Sequence, residues 1–354
     1  MFRPLLAGLL AVGIVFAAGL SGTTAQEKKD DKKDPPKKKE RIAIAEPKDA
    51  AKDPDFAVQG EYAGEISSGA KATKVGAHVV AKGLGEFDLK VYVGGLPGAG
   101  WDGKTVMAAS GHRKGNEVAL AGTDSAGRDI AAGVTKGELV LQTATAKGAL
   151  KKVERKSKTL GEKPPEGAVV LFGTEGDEKN WTNGKLMELS DGKFLTVAKT
   201  GSITSKEKFG AFKAHVEFRL PWMPNSTGQG RGNSGVYLQD RYECQVLDSF
   251  GLKGENNECG GIYTQHKPLV NMCLPPLVWQ TYDIEFTPAQ FGEDGKKTKN
   301  GRATIYHNGV KIHDNIEFPK ECPGGKKEEA TPGPFQFQDH GDPVNYRNVW
   351  VVKK

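Results

Sequence analysis

The stretch from Arg231 to Asp248 holds the residue types best suited to chemistry. It runs Asn233-Ser234-Gly235-Val236-Tyr237 and then Tyr242-Glu243-Cys244-Gln245-Val246-Leu247-Asp248. The pattern predicts two short strands. Alternate strand residues share a face, so Tyr242, Cys244 and Val246 point one way while Glu243 and Gln245 point the other. A carboxylate beside a carboxamide, with Asp248 just beyond, makes a strip suited to hydroxyl-rich ligands. A second strip lies near the C-terminus, where Gln336, Gln338 and His340 alternate with Phe335 and Phe337, and Arg347 follows. Amides and an imidazole read hydroxyls directionally, which a merely wetted face does not require. His215, Glu217 and Arg219 form a third alternating set, read most simply as a solvated sheet face.

The elements that must position these residues are strands. Phe212, Ala214, Val216 and Phe218 alternate with polar partners, as do Tyr282, Ile284 and Phe286. Asn308-Gly309 between 303–306 and 310–312 is a hairpin signal, because type I′ turns favour Asn-Gly. Antiparallel strands without repeated helices predict an all-β fold, with a β-sandwich of the jelly-roll kind from residue 168 to 354. An earlier set of short alternating runs predicts a small all-β domain over 55–152. There Phe87, Leu89, Val91 and Val93 share a face, and Val118, Leu120, Leu139 and Leu141 mark further strands. The charged stretch 153–167, with Pro164-Pro165, reads as the linker between the two. The Gly-rich loop 94–100 lacks the Gly-Lys-Ser/Thr ending of a phosphate loop and is not followed by a helix.

The N-terminus reads as an export signal. Arg3 precedes an apolar run from Leu5 to Leu20, and Thr23-Thr24-Ala25 offers small residues before Gln26, so cleavage after residue 25 is expected. The run is too short for a membrane-spanning helix, so an integral membrane protein is not expected. Residues 26–54 mix Lys, Asp, Glu and Pro and read as a disordered tether. Its interleaved signs, and a net charge of only +6 over 354 residues, argue against nucleic acid as a partner. Of four cysteines, Cys259 and Cys273 bracket a loop that a disulfide would close in an exported protein. Spacing typical of a zinc site is missing.

Glu243 and Asp248 faintly resemble the acidic strand of laminarinase-type glycosidases. Gln245 stands where the middle acid belongs, and five residues of strand span about 16 Å, against the 5–5.5 Å of a retaining carboxylate pair.

From about Ala168 to the C-terminus the chain more closely resembles the 3-keto-disaccharide hydrolase family, a concanavalin-like sandwich. The resemblance rests on Leu171-Phe172 with Trp181, on 204–212 (Thr-Ser-Lys-Glu-Lys-Phe-Gly-Ala-Phe) and on both strands of the 231–248 stretch. Gln338-Asp339-His340-Gly341 with Tyr346-Arg347-Asn348 completes it. Gly173 and Glu175 depart from the family's usual opening, and Cys244 replaces an aliphatic residue. The resemblance implies a substrate already oxidised at C3, and hence an upstream glycoside 3-dehydrogenase. The ketone acidifies C2–H, so a base can remove that proton and expel the C1 substituent, with or without later rehydration. On that reading Glu243 is the base or a ligand of a divalent cation, and His340 the proton carrier. Asn233, Gln245 and Gln338 bind sugar hydroxyls, Arg347 stabilises the enolate or pairs with Asp248, and Trp222 or Tyr263 stacks on a sugar ring. The metal stays open. A non-catalytic carbohydrate-binding module and a conventional double-carboxylate glycosidase are the alternatives.

Overall fold

The computed structural model describes residues 41–354; the expected leader, 1–25, and residues 26–40 of the tether lie outside the described residues. Eight strands come first: β1 (Gly60–Ser68), β2 (Lys71–Gly83), β3 (Glu86–Val93), β4 (Val106–Lys114), β5 (Glu117–Thr123), β6 (Asp129–Thr135), β7 (Glu138–Thr143) and β8 (Lys147–Val153). Each pairs antiparallel with the next, and β8 pairs back onto β1 to close a barrel. The alternation seen in the sequence fills it: Phe87, Leu89, Val91, Val118, Leu120, Leu139 and Leu141 are buried in one core. Closure leaves no strand edge to template association.

The second half is a two-sheet sandwich. Its strands are β9 (Val169–Phe172), β10 (Trp181–Thr182), β11 (Lys185–Leu189), β12 (Gly192–Thr196), β13 (Ile203–Phe209), β14 (Phe212–Arg219), β15 (Asn233–Leu238) and β16 (Tyr242–Leu247). After these come β17 (Gln280–Thr287), β18 (Gln290–Phe291), β19 (Lys297–Lys299), β20 (Gly301–His307), β21 (Val310–Phe318), β22 (Gly333–Phe337) and β23 (Asn345–Lys353). One sheet runs β10-β13-β22-β15-β16, and the other runs β11-β12-β23-β14-β17-β20-β21 with β9 beside β23. Between them sits an apolar core that includes Phe212, Val216, Phe218, Val236, Val246, Tyr282, Phe335 and Phe337. The hairpin expected at Asn308-Gly309 is present, with both residues at positive φ (53° and 75°), as a type I′ turn demands. Among the described residues no helix is long and apolar enough to cross a membrane.

Two stretches read as free tethers are tied down. Residues 41–54 do not behave as disordered chain: Ile44 exchanges two backbone hydrogen bonds with Trp222, and Ser190 donates to Glu46. Short helical turns at Pro47–Ala50 and Pro54–Val58 are capped by Glu46 and Asp53. Charge density suggested a solvated segment, but Ile44 and Ala50, spaced among those charges, pack with the barrel core. The stretch after β8 lies across β14 and β17. Ser157 meets Thr281 at 2.6 Å, Thr159 donates to Asp283 at 2.6 Å, and the Gly161 amide donates to Glu217 at 2.6 Å. Trypsin is therefore expected to cut slowly at Lys156 and Lys158 in the native protein; rapid cleavage there while the barrel and sandwich stay folded would show that these bonds do not hold.

Candidate functional site

The β15–β16 hairpin carries the site, and its turn is tightly specified. Gln239 and Asp240 both take left-handed backbone (φ 55° and 59°), which non-glycine residues adopt only when held. They are held. Gln239 donates to the Phe209 carbonyl at 2.7 Å and accepts from Arg241 at 2.8 Å, while Asp240 pairs with Lys326 at 2.8 Å. The three-residue turn, 239–241, fixes the register, setting Tyr237 opposite Glu243, Gly235 opposite Gln245 and Asn233 opposite Leu247. As expected, Tyr242, Cys244 and Val246 enter the core. The other face is buried as well, because Gln229 from the loop before β15 and Pro323 from the loop before β22 reach it.

Glu243 is the centre of this face. Tyr237 OH lies 2.9 Å from Glu243 Oε2 and 3.1 Å from the Pro323 carbonyl, and it accepts from Gln338 Nε2 at 3.2 Å. Burial raises the Glu243 pKa to about 7, and the Tyr237 hydrogen bond, which favours the carboxylate, offsets only part of that. Near neutral pH the group is therefore divided between acid and carboxylate, as general acid–base work requires. Gly235 makes room for it: a Cβ there would stand 2.3 Å from Glu243 Oε1.

Amides flank the carboxylate. Asn233 Nδ2 donates to the Gln229 carbonyl at 3.1 Å and to its Oε1 at 3.3 Å, and Gln245 Nε2 reaches the same Oε1 at 3.4 Å. Asn233 Oδ1 and Gln338 Oε1 are buried with no hydrogen-bond partner in the structure. A buried acceptor left unsatisfied costs roughly 1–3 kcal/mol, which a ligand hydroxyl would recover. Asp342, buried in the loop between β22 and β23 beside the start of β15, is raised to about 6 by burial, against the pull of Arg41 and the Asn233 amide.

Glu243, Gln338, Gln245 and Asn233 thus gather on one face, joined by Tyr237 and Gln229, which the sequence reading did not single out. The hairpin register was the signal for Tyr237, since the three-residue turn 239–241 puts it across from Glu243. No sequence pattern marks Gln229. Other expected site residues lie elsewhere. His340 is exposed beyond the end of β22 and makes no side-chain hydrogen bond among the described residues. Arg347 is on the other sheet, donating to Glu217 at 2.7 Å and lying 4.2 Å over the Trp279 ring. Asp248 pairs with Arg231 at 3.2 Å, not with Arg347. Trp222 cannot stack on a sugar, being fully buried in the barrel core with its indole donating to Asp53 at 2.9 Å. Tyr263 packs half-buried against the sandwich core, and its amide donates to the Glu243 carbonyl. Cys259 and Cys273 are free thiols, not a disulfide. Cys259 Sγ lies 3.2 Å from Tyr282 OH, and Cys273 Sγ lies 3.5 Å from the Leu274 carbonyl.

The opposite sheet holds a second polar cluster. His215, Glu217 and Arg219 are buried rather than solvated, covered by residues 157–162 and by Trp350, which stacks on the His215 ring at 5.2 Å. Burial alone would lower the His215 pKa, but Asp283 and Glu217 outweigh it and raise it to about 9. Glu162, His215 and Asp283 are the one group among the described residues whose ligand atoms lie within 4.8 Å of one another. His215 is already held as a cation between the carboxylates of Asp283, at 2.6 Å, and Glu217, at 3.4 Å. Glu243 belongs to no such group among the described residues.

A family model described as the 3-keto-alpha-glucoside-1,2-lyase-like domain matches residues 167–352. Two crystal structures, each described as a "putative glycosyl hydrolase" from Parabacteroides distasonis ATCC 8503, are similar over about half the chain. The first shares 33% identity over 54% of this chain and 86% of its own, with a TM-score of 0.49. The second shares 17% identity over 53% of this chain and 95% of its own, with a TM-score of 0.38. A search of curated proteins returned no match.

Replacing Gly235 by Ala is expected to push the Glu243 carboxylate off Tyr237 and to cost about 1–3 kcal/mol in urea unfolding, the usual scale for overpacking. An unchanged midpoint, with Glu243 still titrating near 7, would show that the close approach over Gly235 is not needed.

Proposed function

Because the chain belongs to the family of 3-keto-alpha-glucoside-1,2-lyase-like domains, we propose that it cleaves 3-keto-glycosides by removing the C2 proton and expelling the C1 substituent. Membership makes the domain carbohydrate-active and of the hydrolase or lyase kind; the finer reaction is the reading argued here. The observation that carries it is a single buried carboxylate, Glu243, poised near pH 7 with no cation beside it among the described residues.

Elimination needs one base. Glu243 takes the C2 proton, the C2–H electron pair forms the C1=C2 bond, and the C1–O bond breaks with its electrons on the leaving oxygen. The 3-ketone delocalises the charge that builds on C2 as an enolate, which the Gln338 and Gln245 amide N–H groups are suited to hold. The proton now on Glu243 is the one the leaving alcohol requires. A group with a pKa near 7 can both accept and return it, so His340 is not needed as carrier. Water adding to C1 and C2 of the unsaturated sugar would make the net reaction a hydrolysis; without that step the enzyme is a lyase. Tyr237 touches the base, not the reacting atoms, and acts by holding one carboxylate oxygen in place.

The same geometry disfavours ordinary double-carboxylate cleavage. Asp248, the nearest acid along the strand, is committed to Arg231 and to the turn at Phe250. The 3-keto substrate calls for an enzyme that oxidises the glycoside first, and the leader-like N-terminus would place this second step outside the cytoplasm.

Glu243→Gln is expected to cut turnover of a 3-keto-glycoside by about 10²-fold or more, the scale of a lost acid–base group. The wild-type rate should rise with pH through about 7 as Glu243 ionises. The same titration acts on stability with the opposite sense. A carboxyl whose folded pKa is raised stabilises fully below its ordinary range, and that contribution is lost as pH climbs through about 7. Unoxidised parent glycosides should be inert; equal cleavage of both would restore the conventional glycosidase.

A further inference from the structure

Both segments that flank the site strands dock on the barrel. Ahead of β15, Trp222 inserts its ring into the barrel core, and Asn225 abuts the end of β2 so closely that a Cβ on Gly83 would lie 2.1 Å from its Oδ1. After β16, Phe250 stacks on His78 of β2 at 4.4 Å, and Gly251 fits against Val80. The residue joining these contacts to the site is Arg231, which is only 5% exposed. Its Nη2 donates to the Ala81 carbonyl of β2 at 2.7 Å, its Nε to the Ser226 carbonyl at 3.1 Å, and its Nη1 lies 3.2 Å from Asp248 at the end of β16. The β2–β3 register shifts between Ala81 and Gly83, a bulge of the kind that re-aims backbone groups. The loop that Arg231 closes, 226–231, carries Gln229, whose side chain meets both Asn233 and Gln245.

We propose that the barrel is a fixed buttress for the site, and that Arg231 is the positioning residue through which β2 sets Gln229 against Asn233 and Gln245. This rests on the reading of the Glu243 face as the place where sugar binds. The barrel then needs no ligand of its own. A planar guanidinium suits the task because its five donors, fixed in one plane, can serve a barrel carbonyl, a loop carbonyl and a carboxylate together. A lysine ammonium at the end of a flexible stem can keep the charge pair with Asp248 but not all three directions.

The test uses the full chain. Arg231→Lys keeps the charge beside Asp248. The double change Arg231→Met with Asp248→Asn removes both charges, so neither is left buried alone. Arg128→Gln, which breaks an ion pair with Asp124 in the turn between β5 and β6, two strands that do not pair with β2, is the barrel control. Amide hydrogen exchange over residues 226–233 and the kinetics on a 3-keto-disaccharide are read in parallel. Both Arg231 variants are expected to speed exchange in that segment by about tenfold and to raise KM by about tenfold with a smaller fall in kcat, the Lys variant less than the double change. Arg128→Gln should leave both readouts alone. Folded Arg231 variants with unchanged exchange and unchanged KM would overturn the buttress. Should wild type turn over no 3-keto-disaccharide while exchange responds as described, the assigned reaction falls and the mechanical coupling stands.

Discussion

Burial of the Glu243 carboxylate without a neighbouring cation is the constraint on which the rest of the site depends. A charge taken out of water is costly unless paired, and a protein commonly answers by pairing it or by shifting its pKa. Here the shift is the answer: the group is raised to about 7. Keeping water away takes Gln229 and Pro323 over the sheet face, and Gly235 beneath the carboxylate. Tyr237 supplies a neutral hydrogen bond that orients the carboxylate without neutralising it. Replacing Tyr237 by a cation would lower the pKa and spoil the base.

The sandwich contains its own contrast. On the opposite sheet His215, Glu217, Asp283 and Arg347 are as polar as the Glu243 face, yet each charge there has a partner. Glu217, hydrogen-bonded to His215, Asn348, the Gly161 amide and Arg347, is held down at about 2 despite burial. Such a cluster fastens residues 157–162 to β14 and β17. Buried polar networks that are fully satisfied rigidify, whereas unsatisfied acceptors invite a ligand. Asn233 Oδ1 and Gln338 Oε1 are of the second kind.

Strand periodicity made much of this legible beforehand. Alternating apolar residues located the barrel core at Phe87, Leu89 and Val91, and the polar register of Glu243 and Gln245 located the site. Tertiary contacts were not legible. Trp222 sits in a Gly- and Pro-rich stretch that reads as an open loop, but its indole is needed by a barrel core 130 residues earlier in the chain. Arg347 follows the Gln-x-Gln-x-His strip closely in sequence, but the chain crosses from one sheet to the other between β22 and β23, so it faces away from Gln338. His215-Glu217-Arg219 looked solvated because a two-residue period says which face a side chain takes, not what later covers it. Residues 41–54 misled for a similar reason: their charges dominate the composition, while Ile44 and Ala50 do the docking.

The most direct test of Glu243 as the base that opens the reaction is the fate of the C2 hydrogen. A 3-keto-disaccharide carrying deuterium at C2 should react more slowly than its protiated form and lose the label to Glu243 and then to solvent or the leaving alcohol. Glu243→Gln should retain both substrate and label. Cleavage that keeps deuterium at C2, with no isotope effect, would contradict C2 deprotonation and remove the reason for a single buried carboxylate at this site.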